Sequence, residues 1–261
     1  MIKKELYGNF KGFTVWTFIM IVLFATVFLM YPSIAKDTDM IDQLIATMDE
    51  KMLAVFNMDV IGFETVFGWI ATEGYLMLLI AGSCYFAMLG SSIVLKEEND
   101  KTIEFLYAKP VTKYKILFSK MLAGLLFVIG FDLMIGFTSF VGLSLSNDFV
   151  FNKWILITTL PMMGHLFFFL LSILISMFFT KTSKSSAICL GVVFIFYFIS
   201  LISTLVDKIS CIKFLTPFYY VEARDIITKG NIDIFNILIM LVSYIVIIAL
   251  SFRLYNKKEM A

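Results

Sequence analysis

Long uninterrupted runs of apolar residues dominate the chain. Five of these runs carry no Asp, Glu, Lys or Arg, and a sixth is interrupted only by Lys120 and Asp132. An α-helix rises about 1.5 Å per residue, so about 20 apolar residues cross the roughly 30 Å hydrocarbon core of a bilayer. The pattern predicts an all-α membrane protein with six transmembrane helices, organised as a single transmembrane domain over residues 1–261. The predicted spans are about 12–31, 74–95, 116–146, 154–180, 185–206 and 234–252.

The composition agrees with this class. Of the 261 residues, 60% are hydrophobic and 16% are charged, and the mean hydropathy is +0.92. A soluble domain is about half apolar and a quarter charged, so a soluble enzyme is a poor fit. The net charge of +1 gives the chain no overall field that would attract nucleic acid. A single histidine, His165, excludes a two-histidine metal cluster within one chain, and we expect no metal site.

The first apolar run is too long for a signal peptide. Signal peptides have apolar regions of about 7 to 15 residues, whereas the first run here has 20, so we expect an uncleaved first span.

Orientation follows from the basic residues that flank the runs. If the N-terminus is cytoplasmic, fourteen of the 21 Lys and Arg residues lie in cytoplasmic segments and seven in the longer outer segments. The positive-inside rule therefore predicts that both termini are cytoplasmic.

Two segments beside the first span have the spacing of amphipathic helices. Residues 2–11 carry lysines between regularly spaced apolar residues, which predicts an N-terminal helix lying flat at the cytoplasmic interface. The acidic stretch 36–64 is predicted to form an outer amphipathic helix that either closes the fold or covers the mouth of the bundle. Its apolar stripe consists of Ile41, Leu44, Ile45, Met48, Met52 and Val55.

The cytoplasmic connection between the second and third spans has its own pattern. Acidic residues at its start favour the N-terminal end of a helix, and Pro110 restricts Lys109 to non-helical conformations. We predict a short helix of about ten residues, closed by a proline turn. The pattern alone is also compatible with a solvated charged loop that only follows the positive-inside rule.

This connection resembles the cytoplasmic segment of type-2 ATP-binding-cassette (ABC) transporter permeases. The family pattern has two acidic residues, a small turn, Thr, a Glu-hydrophobic-Leu run, Pro-Val-Ser/Thr-Arg/Lys and a later Gly-Lys. Lys101 stands where the family commonly has Gly, Lys113 where it has Arg, and Ser119 where it has Gly. The stretch around Thr216-Pro217-Phe218 resembles the outer segment between the last two spans. The matching positions are Glu97, Glu98, Thr102, Glu104, Leu106, Pro110, Val111, Thr112, Lys113 and Lys120.

The resemblance implies the partners of the chain. Two permease subunits, identical or paralogous, would form the translocation path of an exporter in a plasma membrane, most often bacterial, among its lipids. A cytoplasmic ABC ATPase would dock on the short helix, called the coupling helix in that family, and would bind ATP and Mg²⁺. The residues assigned to ATPase contact by this resemblance are Glu97, Glu98, Thr102, Glu104, Phe105, Leu106, Pro110 and Lys113.

The chain itself is not expected to be an enzyme or to bind a cofactor. A phosphate-binding loop of the form G-x-x-x-x-G-K-[ST] requires a Gly-Lys pair, and the sequence contains none. Adjacent Glu97 and Glu98 also occur in intramembrane CAAX proteases, but that motif needs Arg at the position of Thr102, and that family needs further histidines. ATP hydrolysis is therefore expected in a partner subunit.

Two ionisable residues lie at membrane depth. Asp132 would cost about 3 kcal/mol on insertion scales if it faced lipid, so we expect it to face the bundle interior, a cavity or a subunit interface. His165 follows Pro161 by four residues and could bond carbonyl groups freed by the proline. Both are candidates for the translocation path, and a purely structural role stays open for each.

Two other classes of function remain open at this stage. In an autonomous secondary transporter or channel, Asp132 and His165 would carry the coupling ions. A non-transporting assembly or sensor subunit would bind its partner without substrate-stimulated ATP turnover. No local motif selects a substrate.

Overall fold

The computed structural model describes residues 1–34, 43, 46–55, 65–103, 111–146, 149–223, 230 and 233–258. These residues form helices and no β-strand, and six helical segments are long and apolar enough to cross a membrane. The predicted number of spans is therefore confirmed within the described residues. The α-helices are α1 (Ile2–Ile34), α2 (Glu50–Val55), α3 (Val66–Trp69), α4 (Tyr75–Asn99), α5 (Lys113–Leu145), α6 (Phe151–Ser176), α7 (Thr182–Leu205), α8 (Pro217–Tyr220) and α9 (Ile234–Lys257).

Shorter helical turns complete two of the connections. A π-helical turn, Ile70–Gly74, joins α3 to α4, so the second span runs from Val66 to Asn99. A 3₁₀ helix, Asp207–Leu215, follows α7. The fourth span ends at Ser176, before the predicted residue 180, because three successive N–H groups from Met177 bond carbonyls three residues back and tighten the turn.

The N-terminal residues do not form a separate interfacial helix, so this prediction was wrong. α1 continues without a break from Ile2 into the first span, whereas a segment lying flat on the membrane would need a bend before it. Glu5 is buried and contacts Lys120 of α5. This contact keeps residues 2–11 in line with the bundle, and sequence spacing alone could not reveal it.

The centre of the bundle is the packed pair α4 and α6, with α5 beside it. α1 packs mainly on α5, α7 on α4, and α9 on α6. A glycine sets the closest approach of the central pair, because a Cβ at Gly90 would lie 2.5 Å from the Phe169 carbonyl oxygen. Small residues allow membrane helices to pack backbone against backbone in this way.

The start of α1, the end of α9 and the facing ends of α4 and α5 lie at one end of the bundle. Lys258 contacts Glu98 in the last turn of α4, and Glu5 shares its partner Lys120 of α5 with Glu97 of that turn. This end is called the coupling end below. Its side of the membrane is a prediction from the basic residues.

At the opposite end, α2 packs against α7, and Lys51 Nζ lies 2.7 Å from Asp207 Oδ2 at the surface. Much of the predicted outer amphipathic segment, including Ile41, Leu44 and Ile45, lies outside the described residues. Its role as a cover therefore stays a prediction.

Candidate functional site

The coupling end contains four of the eight residues assigned to ATPase contact. Glu97 and Glu98 lie in the last turn of α4, Thr102 is exposed just beyond it, and Lys113 begins α5. The other four lie outside the described residues: Glu104, Phe105, Leu106 and Pro110.

Capping interactions fix both ends of the segment 100–112. The N–H of Thr102 bonds the carbonyl of Glu97 at 2.8 Å, and the N–H of Lys101 bonds that of Glu98 at 3.2 Å, which is a Schellman motif. Lys101 has φ of +54°, a conformation that favours glycine. The same conformation would suit the glycine that the pattern of type-2 ABC permeases, which this segment resembles, commonly has at this position. At the other end, the Thr112 hydroxyl accepts from the N–H of Lys115 and caps α5.

A buried lysine ties the start of this segment to the N-terminus. Lys120 Nζ lies 2.7 Å from Glu97 Oε2 and 3.3 Å from Glu5 Oε1, and it also donates to the carbonyl of Ile93. The three acceptors match the three N–H donors of an ammonium group. Nine per cent or less of each of the three charged side chains is exposed. The cluster Glu5–Glu97–Lys120, called the ionic triad below, therefore links α1, α4 and α5.

A second set of contacts ties the segment to the C-terminus. Lys258 Nζ lies 2.7 Å from Glu98 Oε1 and 2.8 Å from the carbonyl oxygen of Phe179, which follows α6. Lys113 Nζ donates to the carbonyls of Asn256 and Lys258 at 3.3 and 3.0 Å. A cation at the C-terminal end of α9 satisfies carbonyls that lack helical partners and complements the helix dipole.

These contacts divide the assigned residues into two groups. Glu97 and Glu98 turn toward the bundle and hold neighbouring helices, whereas Thr102 is exposed. The sequence pattern does not indicate Glu5 or Lys258 as partners of this segment. One signal was available for the triad, because a lysine inside an apolar run, such as Lys120, requires a buried partner.

The second polar site lies inside the bundle and joins the three central helices. His165 Nδ1 on α6 lies 3.0 and 3.1 Å from the two carboxylate oxygens of Asp132 on α5. Its Nε2 lies 3.2 Å from the carbonyl oxygen of Leu78 on α4. Both residues were singled out from the sequence, but their contact was not. The imidazole contacts the Asp132 carboxylate and the Leu78 carbonyl on neighbouring helices. It therefore does not bond the carbonyls freed by Pro161, as the sequence suggested.

Each contact of the imidazole requires one hydrogen, because carboxylate and carbonyl oxygens are acceptors. Two arrangements satisfy both contacts. Either an imidazolium donates from both nitrogens to a carboxylate and a carbonyl, or a neutral imidazole donates from Nε2 and accepts from a protonated Asp132. The pair has zero net charge in both arrangements, so it lies at membrane depth without an uncompensated charge.

The surroundings of this pair are closed and aromatic. Asp132 is 2% exposed and His165 is fully buried. The rings of Phe86 and Phe131 lie 5.5 and 5.6 Å from the imidazole, centroid to centroid. A Cβ at position 82 would lie 2.2 Å from His165 Nε2, so Gly82 provides the space that the ring occupies. Within a single chain this site is part of the packed interior, and a role in translocation stays a prediction.

The stretch after the 3₁₀ helix folds back onto the bundle. The Thr216 hydroxyl accepts from the N–H of Phe218, and Pro217 takes the first position of α8, where a missing N–H costs no hydrogen bond. The Phe218 ring packs 5.2 Å from that of Phe168 on α6. The Tyr75 hydroxyl donates to the carbonyl of Val221 at 2.5 Å. The Thr-Pro-Phe motif thus starts a turn that packs against α4 and α6.

Comparison with known proteins places the chain in a family. The family model described as "ABC-2 family transporter protein" matches residues 1–260, which include all six spans, both ends of the segment 100–112 and the Asp132–His165 pair. No curated protein matches the chain significantly. Membership implies association with an ABC ATPase. The chain is a multi-pass membrane protein that belongs to the ABC-2 family of transporter proteins.

Proposed function

We propose that the chain is the permease subunit of an ATP-driven exporter and that a separate ABC ATPase docks on the segment 100–112. The observation that carries this proposal is the anchoring of both ends of that segment. Glu97 and Lys120 join it to α1, and Glu98 and Lys113 join it to the end of α9.

The anchoring supplies what mechanical coupling requires. Movement of an ATPase can bias the bundle only through an element that contacts both and that differs between two states. A segment with capped ends and buried ion pairs moves together with the helices to which it is tied. In this scheme ATP and Mg²⁺ are bound by the ATPase, because the chain has no G-x-x-x-x-G-K-[ST] loop.

The assigned residues take different roles in the proposal. Thr102 and the central residues Glu104, Phe105, Leu106 and Pro110 would meet the ATPase. Glu97, Glu98 and Lys113 would act by positioning the segment. The proposed orientation, with both termini cytoplasmic in a plasma membrane, rests on the positive-inside rule. It is supported by the position of both termini and this segment at one end of the bundle.

The docking proposal is tested by replacing Glu104 and Leu106 together with alanine. We expect the amount of ATPase that copurifies with the permease to fall at least tenfold, because an apolar anchor and a charged contact are removed from the interface. The measurement is affinity purification of the permease coexpressed with its ATPase, with ATP turnover assayed in the eluate.

A matched control removes the same kinds of side chain at the opposite end. Asp207 and Leu215 are exposed, at 84% of the Asp207 side chain and 69% of Leu215. The double variant Asp207→Ala/Leu215→Ala should retain the ATPase. Equal ATPase recovery from the Glu104→Ala/Leu106→Ala variant and the native chain would contradict docking on this segment.

We further propose that the second permease, identical or paralogous, packs on α7. This span is the least buried of the six, since 17% of the residues in its most apolar stretch are buried. Ser183, Ala187 and Gly191 are exposed at intervals of four residues, which is the small-residue spacing of closely packed membrane helices. Phe194 and Phe198 continue the same exposed face.

The α7 proposal predicts that Gly191→Phe separates the two permeases without unfolding either. No described atom lies within 4 Å of a Cβ built at Gly191, so the monomer has room for the ring. Gly12 on α1 is equally open, and Gly12→Phe is the control. Mass photometry in mild detergent should show mainly monomers for Gly191→Phe and native dimers for Gly12→Phe. The reverse result would move the interface to α1.

A further inference from the structure

A groove between α1 and α5 at the coupling end combines an apolar wall with a cationic end. Its volume is about 590 Å³, and Tyr7, Phe10 and Leu126 of its lining are exposed at the surface of the bundle. From α1 it is lined by Lys3, Leu6, Tyr7, Phe10 and Phe13, and from α5 by Leu126, Phe127 and Gly130.

The lining changes from polar to apolar along the helix axis. Lys3 and the 84% exposed Tyr7 lie toward the N-terminal end, and Phe10 and Phe13 lie deeper. The distance from Lys3 to Phe13 along α1 is about 15 Å, half the thickness of a bilayer core. The deep end has room beside Gly130, because among the described atoms a Cβ there would meet the Phe13 ring alone, at an ordinary contact distance of 3.5 Å. This is the order of headgroup and acyl chain in one leaflet.

The charges around the polar end favour an anion. Lys3 lines this end of the groove, and Lys4, the next residue of α1, is also exposed. The acidic residue of the same stretch, Glu5, points into the bundle and is paired with Lys120. Its charge is therefore already compensated and does not cancel the exposed lysines.

A second groove on the same α1–α5 seam provides an internal comparison. Its volume is about 450 Å³, and it lies toward the opposite end of the bundle. Its lining contains no charged residue: Ile21, Ala25, Phe28, Leu29, Met134, Phe137, Thr138, Val141, Gly142 and Leu145. It suits acyl chains of any lipid, whereas the first groove adds a site for a phosphate.

We propose that the groove at the coupling end binds one glycerophospholipid with an anionic headgroup from the leaflet that faces the N-terminus. Lys3 contacts the phosphate, the Tyr7 hydroxyl donates to the headgroup, and one acyl chain lies along Phe10, Phe13 and Gly130. Cationic and phenolic side chains at the level of the headgroups are typical anchors of this kind. The site does not depend on the ATPase partner.

The test is native mass spectrometry of the full chain released from micelles that contain either phosphatidylglycerol or phosphatidylcholine. The native chain should retain one phosphatidylglycerol and no phosphatidylcholine. Lys3→Gln should lower the retained fraction about fivefold, the factor expected for one lysine near an anionic surface. Gly130→Leu, which fills the deep end of the groove, should abolish retention.

Two control variants separate this site from general lipid contact. Lys208→Gln removes an exposed lysine at the opposite end, and Gly12→Leu adds a side chain to α1 outside the groove, where no described atom lies within 4 Å. Both should retain phosphatidylglycerol as the native chain does. Native-like retention by Lys3→Gln, or equal retention of both lipids, would overturn the proposal. A Gly130→Leu variant that loses a second copy of the chain and no lipid would assign the groove to a subunit interface.

Discussion

Replacing Asp132 by leucine should lower the free energy of unfolding by about 3 kcal/mol, and replacing His165 by leucine should have a similar effect. Each single change leaves the remaining group buried beside the Phe86 and Phe131 rings with a hydrogen-bonding atom that has lost its partner. Removing both groups together removes this penalty, because apolar side chains replace the whole pair. We expect the double variant Asp132→Leu/His165→Leu to lie within about 1 kcal/mol of the native chain.

The measurement is a double-mutant cycle on unfolding in mixed micelles, with Asp132→Asn as a near-isosteric control. Asparagine can still accept from Nδ1, so its loss should be smaller than that of leucine. Additive losses in the double variant would contradict a net-neutral pair whose members act on each other.

The same variants distinguish a structural pair from an ion-coupled transporter. If the pair only holds α4, α5 and α6 together, the stable double variant should still assemble with an ATPase and support its ATP turnover. If Asp132 and His165 carry coupling ions, the double variant should fold but lose ion-dependent transport, and no ATPase should copurify with the native chain.

The six spans and the family could be predicted from the sequence because both depend on local patterns. Apolar runs of about 20 residues have few alternatives to membrane helices, since a lipid-exposed backbone must satisfy its own hydrogen bonds. The motif from Glu97 to Lys120 lies within a single stretch of chain. Capping also follows from local chemistry, and Thr112 occupies the N-cap position that its side chain favours.

The ionic contacts could not be predicted, because each joins positions that only the packed bundle brings together. Asp132 and His165 are 33 positions apart, and Glu97 and Lys120 are 23 apart. Burial of Asp132 followed from the cost of a charge in lipid, but the identity of its partner did not. The N-terminal helix illustrates the same limit, since its amphipathic spacing is compatible both with a membrane surface and with a bundle that buries Glu5.

The two ionic sites also differ in what surrounds them. The Asp132–His165 pair is balanced and lies among aromatic rings, whereas the ionic triad has two carboxylates for one ammonium and lies at the end of the bundle. The triad is therefore held together by Lys120. Loss of the Lys120 side chain should affect the segment 100–112 more than loss of either glutamate.

Replacing Lys120 by methionine should destabilise the chain by about 3 kcal/mol or more, because it leaves the Glu5 and Glu97 carboxylates buried without a cation. The free energy of unfolding in micelles measures this loss. Lys115→Met is the matched control, since that lysine is exposed on the same helix and its loss should change stability by no more than about 0.5 kcal/mol.

A triple variant separates charge from packing at the triad. Glu5→Gln/Lys120→Met/Glu97→Gln removes all three charges, so it should recover most of the stability that Lys120→Met loses. It should nevertheless recover less ATP turnover, because ion pairs no longer join α1 and α4 to α5 when the ATPase moves the segment 100–112. A triple variant as unstable as Lys120→Met would mean that the lysine side chain acts through its packing, and the ionic triad would then not be what positions this segment.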